Sequence, residues 1–350
     1  MSISTEFPSV TVAIPALNEE NFISDVIDVF STSQYPNIIE IIVADGGSTD
    51  KTKTIVKKWG LKDERVKLID NPGKIQSIGL NKILEKTNGE IFLRADAHCI
   101  YAENYVEKCI EALKKSQALN VGGAQRFMAE NNFQAGIAMA TLSNLGSGGA
   151  HYRDPHYTGY SDTVFLGCFI TEALKEAGGF SNAHETNEDA EMNLKLNKLK
   201  KNAVYVDSNI KVWYYPRNNV KDFIKQYFRY GCGRAKTTIQ HSIKPNFRGN
   251  IPFIIFWFFG AFLLVESIAY HSFTLSLLIL TGLLAMSVFE SLKVNIKYHH
   301  YFKNNIWVLA DNEKPNIFSR FINTFIILWT APLSHAIGYS WQVLKNIFKV

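Results

Sequence analysis

Short β-branched runs alternate with amphipathic stretches early in the chain, and long apolar stretches fill its later part. Val10-Thr11-Val12-Ala13-Ile14 has the composition of a strand, and Pro15-Ala16-Leu17-Asn18-Glu19-Glu20 stops it. A helix is expected next, with Phe22, Val26 and Val29 on one face. Residues 38–44 are nearly all apolar, as in a strand covered on both faces. They run into the polar turn Asp45-Gly46-Gly47-Ser48-Thr49-Asp50 and a Lys-rich helix ending near Trp59. A third strand at 66–69 ends at Asn71-Pro72-Gly73, and a helix spans 75–87. The apolar strand 90–95 then delivers Asp96 and His98. After a helix at 101–117, strands are expected at 121–125 and 164–169. The glycine-rich segment Gly146-Ser147-Gly148-Gly149 and His151-Tyr152-Arg153-Asp154 between them is either a substrate-side loop or a linker. Gly178-Gly179-Phe180 breaks the next helix. His184-Glu185-Thr186-Asn187-Glu188-Asp189 precedes one that carries Met192, Leu194, Leu196 and Leu199.

Strands alternating with helices predict an α/β domain built on a parallel sheet. Ligands of such open sheets bind at the carboxyl edge. Asn18 with Glu19, Asp45 to Ser48, and Asp96 with His98 all fall at that edge. Three polar clusters meeting at one edge point to a function that none of them carries alone.

Beyond this domain the pattern changes. Between residues 251 and 290 the only charged side chains are Glu266 and Glu290. Residues 251–270 approach the ~20 apolar positions that cross a bilayer. A second candidate span, 273–289, follows after only His271-Ser272, which makes a tight helical hairpin. A third, 321–341, contains Pro332 and His335. It reads as a span, a re-entrant or interfacial segment, or a buried soluble helix. Lys244 and Arg248 precede the first span, and Lys293, Lys297, Lys303, Lys314 and Arg320 follow the second. The positive-inside rule therefore puts the first domain in the cytoplasm, whereas Lys345 and Lys349 conflict with a third crossing. No signal peptide is expected, because residues 1–8 have neither a basic start nor an apolar core.

Charge and cysteine usage narrow the classes. A net charge of +5 without basic clusters interleaved with aromatics gives no sign of a nucleic-acid partner. The 4 cysteines are scattered and form no Cys-x-x-Cys pair, as expected of reduced thiols.

The candidate chemistry lies in three places. Asp96 and His98, two apart at a strand end, can point the same way. Together they offer one oxygen and one nitrogen ligand to a divalent ion. The plain alternative is an Asp that caps the following turn. Glu188-Asp189 at a helix start is favoured by the helix dipole by about 0.3–1 kcal/mol for each acid. Beside a metal site the same pair could supply a general base for a hydroxyl nucleophile. Tyr227-Phe228-Arg229-Tyr230-Gly231-Cys232-Gly233-Arg234-Ala235 could present an arginine to a phosphate, or lie as a basic helix on a membrane surface.

Taken in order, five motifs resemble the family 2 glycosyltransferases. They are Val12-Ala13-Ile14-Pro15-Ala16-Leu17-Asn18-Glu19, Val43-Ala44-Asp45-Gly46-Gly47-Ser48-Thr49-Asp50, Asp96-Ala97-His98, Glu188-Asp189 and Gln226-x-x-Arg229-Tyr230. The chain is most similar to the succinoglycan-type bacterial glucosyltransferases that extend a polyprenyl-linked sugar. The resemblance implies a GT-A nucleotide-sugar-binding domain at 1–240, with a Rossmann-like mixed sheet. A C-terminal membrane region with two or three hydrophobic helices would follow at 241–350. It implies that Pro15, Ala16, Glu19 and Asp45 line a uridine pocket, with Gly73 and Ser77 alongside. Asp96 and His98 would address a Mn²⁺ or Mg²⁺ ion on the donor diphosphate. Asp189 would be the base, and Glu188, Gln226, Arg229 and Tyr230 would bind the acceptor. The implied reaction is inverting transfer, with UDP-glucose the expected donor and a lipid-linked saccharide the acceptor, at the cytoplasmic face of the cell membrane. Tyr230 stands where the processive synthases have Trp. A polyprenyl-phosphate sugar synthase, a processive synthase and a non-catalytic nucleotide-sugar-binding protein are the competing readings.

Overall fold

The computed structural model describes residues 6–182, 186–241 and 247–348, without the side chains of 247–250. His184, Glu185, Lys244 and Lys349 lie outside the described residues, as does the side chain of Arg248.

The chain opens with β1 (Val10–Ala16), α1 (Ile23–Ser31), β2 (Ile38–Asp45), α2 (Thr52–Lys62), β3 (Val66–Asp70) and α3 (Gln76–Lys86). It continues through β4 (Ile91–Arg94), β5 (Cys99–Tyr101), α4 (Tyr105–Ser116), β6 (Asn120–Phe127), α5 (Asn132–Thr141) and α6 (Asn144–Ser147). Next come β7 (Gly159–Tyr160), β8 (Phe165–Ile170), α7 (Thr171–Glu176), α8 (Glu188–Leu199) and β9 (Val204–Tyr214). The last elements are α9 (Val220–Gln240), α10 (Phe247–Tyr270), α11 (Thr274–Lys297), α12 (His299–Tyr301) and α13 (Ile317–Phe348).

Two compact units result, one of residues 1–126 with 151–214 and the other of residues 127–150 with 215–350. The first holds a mixed sheet in the order β3-β2-β1-β4-β8-β6-β9-β5, with β7 on β9. The expected parallel arrangement holds for β3, β2, β1 and β4. Beyond β4 the described pairings are antiparallel, β8 with β4 and β6, and β9 with β5 and β7. The register brings the strand ends level. Ala16 faces Asp45, Asp45 faces Asp70, and Ala13 faces Arg94.

Burial explains the local choices. Ile41, Ile42, Val43 and Ala44 of β2 are buried on both sides, as their unbroken apolar run requires. On α1 the inward face is Ile23, Val26, Ile27 and Phe30. Phe22, expected on that face, is the residue before the helix and remains exposed. The glycine-rich segment forms the short α6 and then two left-handed glycines, Gly148 and Gly149.

In the second unit, α10, α11 and α13 include helices long and apolar enough to cross a membrane. His271, at φ 47°, turns the chain from α10 into α11. Glu266 then serves as a cap, because its carboxylate accepts from Leu275 N (2.7 Å), Ser276 N (2.9 Å) and Ser276 Oγ (2.5 Å). An acid inside an apolar helix thus satisfies the otherwise unpaired amides that begin the next one. The third hydrophobic segment is one helix, continuous through Pro332. Residues 127–150 and 215–240 pack against it. A Cβ on Gly136 would run into Asn323, one on Gly231 into the His335 carbonyl, and one on Gly338 into the Phe228 carbonyl. Backbones meet closely there because no side chain separates them.

Candidate active site

The loops after β1 and β2 are joined by reciprocal hydrogen bonds. Asn18, in the left-handed region at φ 56°, donates its N–H to Ser48 Oγ (2.9 Å) and accepts from Thr49 N (2.9 Å). Glu19 N donates to Thr52 Oγ1 (2.8 Å), Glu20 N to Asp50 Oδ2 (3.1 Å) and Lys51 N to Glu20 Oε2 (3.0 Å). Two motifs far apart in sequence therefore form one rigid surface. Pro15, Ala16, Glu19 and Asp45 all belong to it.

Asp45 is buried at the end of β2. Its Oδ2 accepts from Gly47 N (2.8 Å) and Ser48 N (3.0 Å) and lies 3.3 Å from Lys53 Nζ. Burial alone would raise its pKa, but the hydrogen bonds from Ser48 and Gly47 and the Lys53 ammonium hold it below the usual carboxylate range. The other oxygen, Oδ1, is buried without a hydrogen-bond partner among the described residues. Such an acceptor costs about 1–3 kcal/mol unless a donor reaches it. Gly73 precedes α3 and Ser77 lies in its first turn, fully buried.

The turn after β4 carries the next group. Asp96 N donates to Tyr101 Oη (2.7 Å), and the Tyr101 hydroxyl returns a bond to Asp96 O (3.0 Å). Asp96 Oδ1 accepts from Gln76 Nε2 (2.8 Å) and Arg94 Nε (3.2 Å). The same guanidinium places Nη1 3.2 Å from Glu188 Oε1 at the start of α8. His98 Nδ1 lies 3.2 Å from Glu19 Oε1. Asp189 Oδ1 accepts from Ala190 N (2.7 Å).

The electrostatics follow from one cation among several acids. Burial disfavours the charged form of Arg94, but Asp96, Glu188 and Asp189 outweigh it and hold the guanidinium above its usual range. Glu188 is pushed up to about 7, first by burial, against the pull of Arg94 and with the push of Asp189. An excess of carboxylate over guanidinium of this kind suits a divalent cation. No group of three metal-ligating side chains exists among the described residues. An ion held by Asp96 and His98 would have two side-chain ligands and would take the rest from substrate or water. A carboxylate at His98 Nδ1 favours a proton on that nitrogen and leaves Nε2 as the lone-pair donor.

The first unit thus brings together Pro15, Ala16, Glu19, Asp45, Gly73, Ser77, Asp96, His98, Glu188 and Asp189. Gln226, Arg229 and Tyr230 lie on α9 in the second unit, Arg229 and Tyr230 exposed. Sequence reasoning passes over Arg94, Gln76, Tyr101 and Lys53. For Arg94 a signal exists: a lone arginine on an otherwise apolar strand is buried only when paired.

Residues 11–170 match the family Glycosyl transferase family 2, and residues 96–310 match Glycosyl transferase family group 2. The succinoglycan biosynthesis protein ExoA of Rhizobium meliloti is 33% identical over 246 residues, 70% of this chain and 74% of the relative. The chain belongs to glycosyltransferase family 2. Another relative of this transferase comes from Methanococcus voltae, 32% identical over 235 residues, 65% of this chain and 73% of the relative. It is a dolichyl N-acetyl-α-D-glucosaminyl phosphate 3-β-D-2,3-diacetamido-2,3-dideoxy-β-D-glucuronosyltransferase. The fold is shared with the mannosyltransferase PcManGT of Pyrobaculum calidifontis, solved in complex with GDP-Man and Mn²⁺. That likeness has a TM-score of 0.56 at 17% identity, over 99% of the transferase and 88% of PcManGT. The mixed sheet of the transferase is accordingly GT-A-like.

Proposed function

We propose that this transferase moves a sugar, with inversion, from a nucleoside diphosphate sugar to a hydroxyl of a lipid-linked saccharide. UDP-glucose is the first donor to test. The observation that carries the reading is the unpartnered, buried Asp45 Oδ1 in the same unit as a second carboxylate set at Asp96 and Glu188-Asp189. A buried acceptor at the first site suits an N–H of a nucleobase. The acids at the second suit a diphosphate-bound ion and a proton acceptor.

In this reading Pro15, Ala16, Glu19 and Asp45 receive the nucleoside, and Gly73 and Ser77 border it. Asp189 accepts the proton of the attacking hydroxyl, which displaces the nucleoside diphosphate in line at the anomeric carbon. Glu188, Gln226, Arg229 and Tyr230 orient the acceptor. Asp96 and His98 would hold Mn²⁺ or Mg²⁺, and the bound ion would neutralise charge developing on the departing diphosphate. Residues 1–240 carry the transfer, and 241–350 attach it to the cytoplasmic face of the cell membrane, a placement supported by the basic residues that flank the apolar helices. The Methanococcus relative is named for a dolichyl-phosphate-linked sugar acceptor, which supports a lipid-linked acceptor.

The test is to offer purified full-length protein a panel of nucleotide sugars and lipid-linked saccharides, and to weigh the lipid products. A single added sugar supports the proposal. Release of free sugar with no lipid product, or a polymer, argues against it.

A further inference from the structure

Arg94 is the most enclosed charged side chain of the sheet-bearing unit that touches two acids from different parts of the sequence. It stands at the end of β4 with only 6% of its side chain exposed. Nε approaches Asp96 Oδ1 at 3.2 Å and Nη2 approaches Asp96 Oδ2 at 3.5 Å. Nη1 forms an ion pair without hydrogen-bond alignment, 3.2 Å from Glu188 Oε1, whose side chain is 7% exposed. The planar fork of a guanidinium can hold two carboxylates at a fixed separation, which an ammonium cannot do.

Asn187, the residue before α8, sits in the left-handed region at φ 69°. Asp189 bonds only the adjacent amide of Ala190 among the contacts described. The guanidinium thus links the Glu188-Asp189 turn to the end of β4. The Asp96 side of the fork is itself fixed, by Gln76 at 2.8 Å and by the Tyr101 hydroxyl on its backbone.

We propose that Arg94 is a positioning residue, which sets the distance between the donor-side carboxylate Asp96 and the acceptor-side turn Glu188-Asp189. Arg94 does not touch substrate; it acts through the two acids. This rests on the transferase reading of those acids. Displacement of reacting groups by about an ångström costs on the order of 10²-fold in rate, so a loosened turn should be visible in turnover before it is visible in donor binding.

The experiment uses the full-length protein in detergent, with Arg94→Met, Arg94→Lys, Glu188→Gln and the double variant Arg94→Met/Glu188→Gln. Three quantities are read: melting temperature, UDP binding without added metal, and single-turnover transfer below the melting range. Amide hydrogen exchange at residues 187–190 is followed alongside. Arg94→Met should transfer about 10²-fold more slowly, with UDP affinity within about twofold of native and faster exchange confined to 187–190 and the Asp96 turn. Arg94→Lys should recover only part of the rate. In the Glu188→Gln background, removing Arg94 should cost markedly less than in the native chain, because one arm of the clamp is already gone.

Native transfer by Arg94→Met overturns the proposal, and so does a loss that is equal in both backgrounds. Faster exchange spread over the whole sheet, with transfer lowered only in step with melting, also overturns it and reduces Arg94 to a buried structural charge. If exchange at 187–190 responds as expected but Asp189→Asn and Glu188→Gln both transfer at the native rate, the clamp stands and the role given to the two acids falls.

Discussion

Glu19 Oε1 lies 3.2 Å from His98 Nδ1. Two side chains that sequence assigns to different parts of the donor site, the nucleoside and the ion, therefore hold each other. A histidine that ligates a metal ordinarily gives its other ring nitrogen to such a carboxylate, which fixes ring orientation and tautomer. Transfer should stop in excess chelator and return with Mn²⁺ or Mg²⁺. Glu19→Gln should weaken Mn²⁺ affinity by about 10–100-fold, read as free Mn²⁺ by electron paramagnetic resonance. Full activity of protein shown to be metal-free would remove the ion from the proposal.

Asp189→Asn keeps the shape of the side chain and removes its basicity. The transfer rate should fall by about 10²–10⁴-fold while nucleotide-sugar affinity is retained. Glu188→Gln should lose less, because one carboxylate of the pair takes the in-line position. Single-turnover transfer and melting temperature on both variants decide the matter. A near-native Asp189→Asn beside a dead Glu188→Gln would give the base to the other acid.

Glu188 has a pH signature. Its carboxyl is raised by burial from 4.5 to about 7 in the folded chain. A raised pKa contributes stability that is present in full below the unfolded value and lost as pH rises through the folded one. Native protein should therefore lose melting temperature relative to Glu188→Gln as pH rises from 4.5 towards 7 and beyond. Parallel melting curves for the two proteins across that range would refute the assignment.

The close approach of α9 and α13 is testable by one methyl group. Gly338→Ala places a Cβ against the Phe228 carbonyl, whereas Gly260 in α10 has open space around it. Overpacking of this kind costs about 1–3 kcal/mol. Gly338→Ala should melt earlier in detergent, and Gly260→Ala should match the native protein. Equal melting of the three would show that the helices separate readily.

The Glu266 cap gives a further comparison. Glu266→Leu leaves Leu275 N and Ser276 N without their acceptor, whereas Glu266→Gln keeps one. Limited proteolysis near 271–274 should be faster for Leu than for Gln, and faster for Gln than for the native residue. Identical cleavage of all three would mean that the turn holds without the cap.

Much of the fold around the ends of β1 and β2 is legible in the sequence because its causes are local. A run buried on both faces gives β2, and Asp45-Gly46-Gly47 turns at its end, Gly47 at φ 88°. The acid-to-guanidinium contacts are not legible, since nothing near Arg94 names Glu188 as its partner. β5 has three residues, too few to show a period. α5 is buried on all sides, so it has no polar face to set its repeat. β9 differs: VYVDSNIKVWY has β-branched or aromatic residues at 7 of its 11 positions, yet it is absent from the strands expected, although its composition was there to be read. On α1 the expected face of Phe22, Val26 and Val29 shares only Val26 with the buried set Ile23, Val26, Ile27 and Phe30.

The glycine contacts between α9 and α13 also have a consequence for lipid. Gly231 and Gly338 bring the two backbones together with no compressible side chain between them, so a tilt of α13 is a tilt of α9. An apolar helix adjusts its tilt to the thickness of the bilayer around it. Gln226, Arg229 and Tyr230, carried on α9, would then change their angle to the membrane plane as acyl chains lengthen. If α13 crosses a bilayer, the thickness of that bilayer would be a variable of this enzyme, one that a series of nanodiscs differing only in chain length would expose.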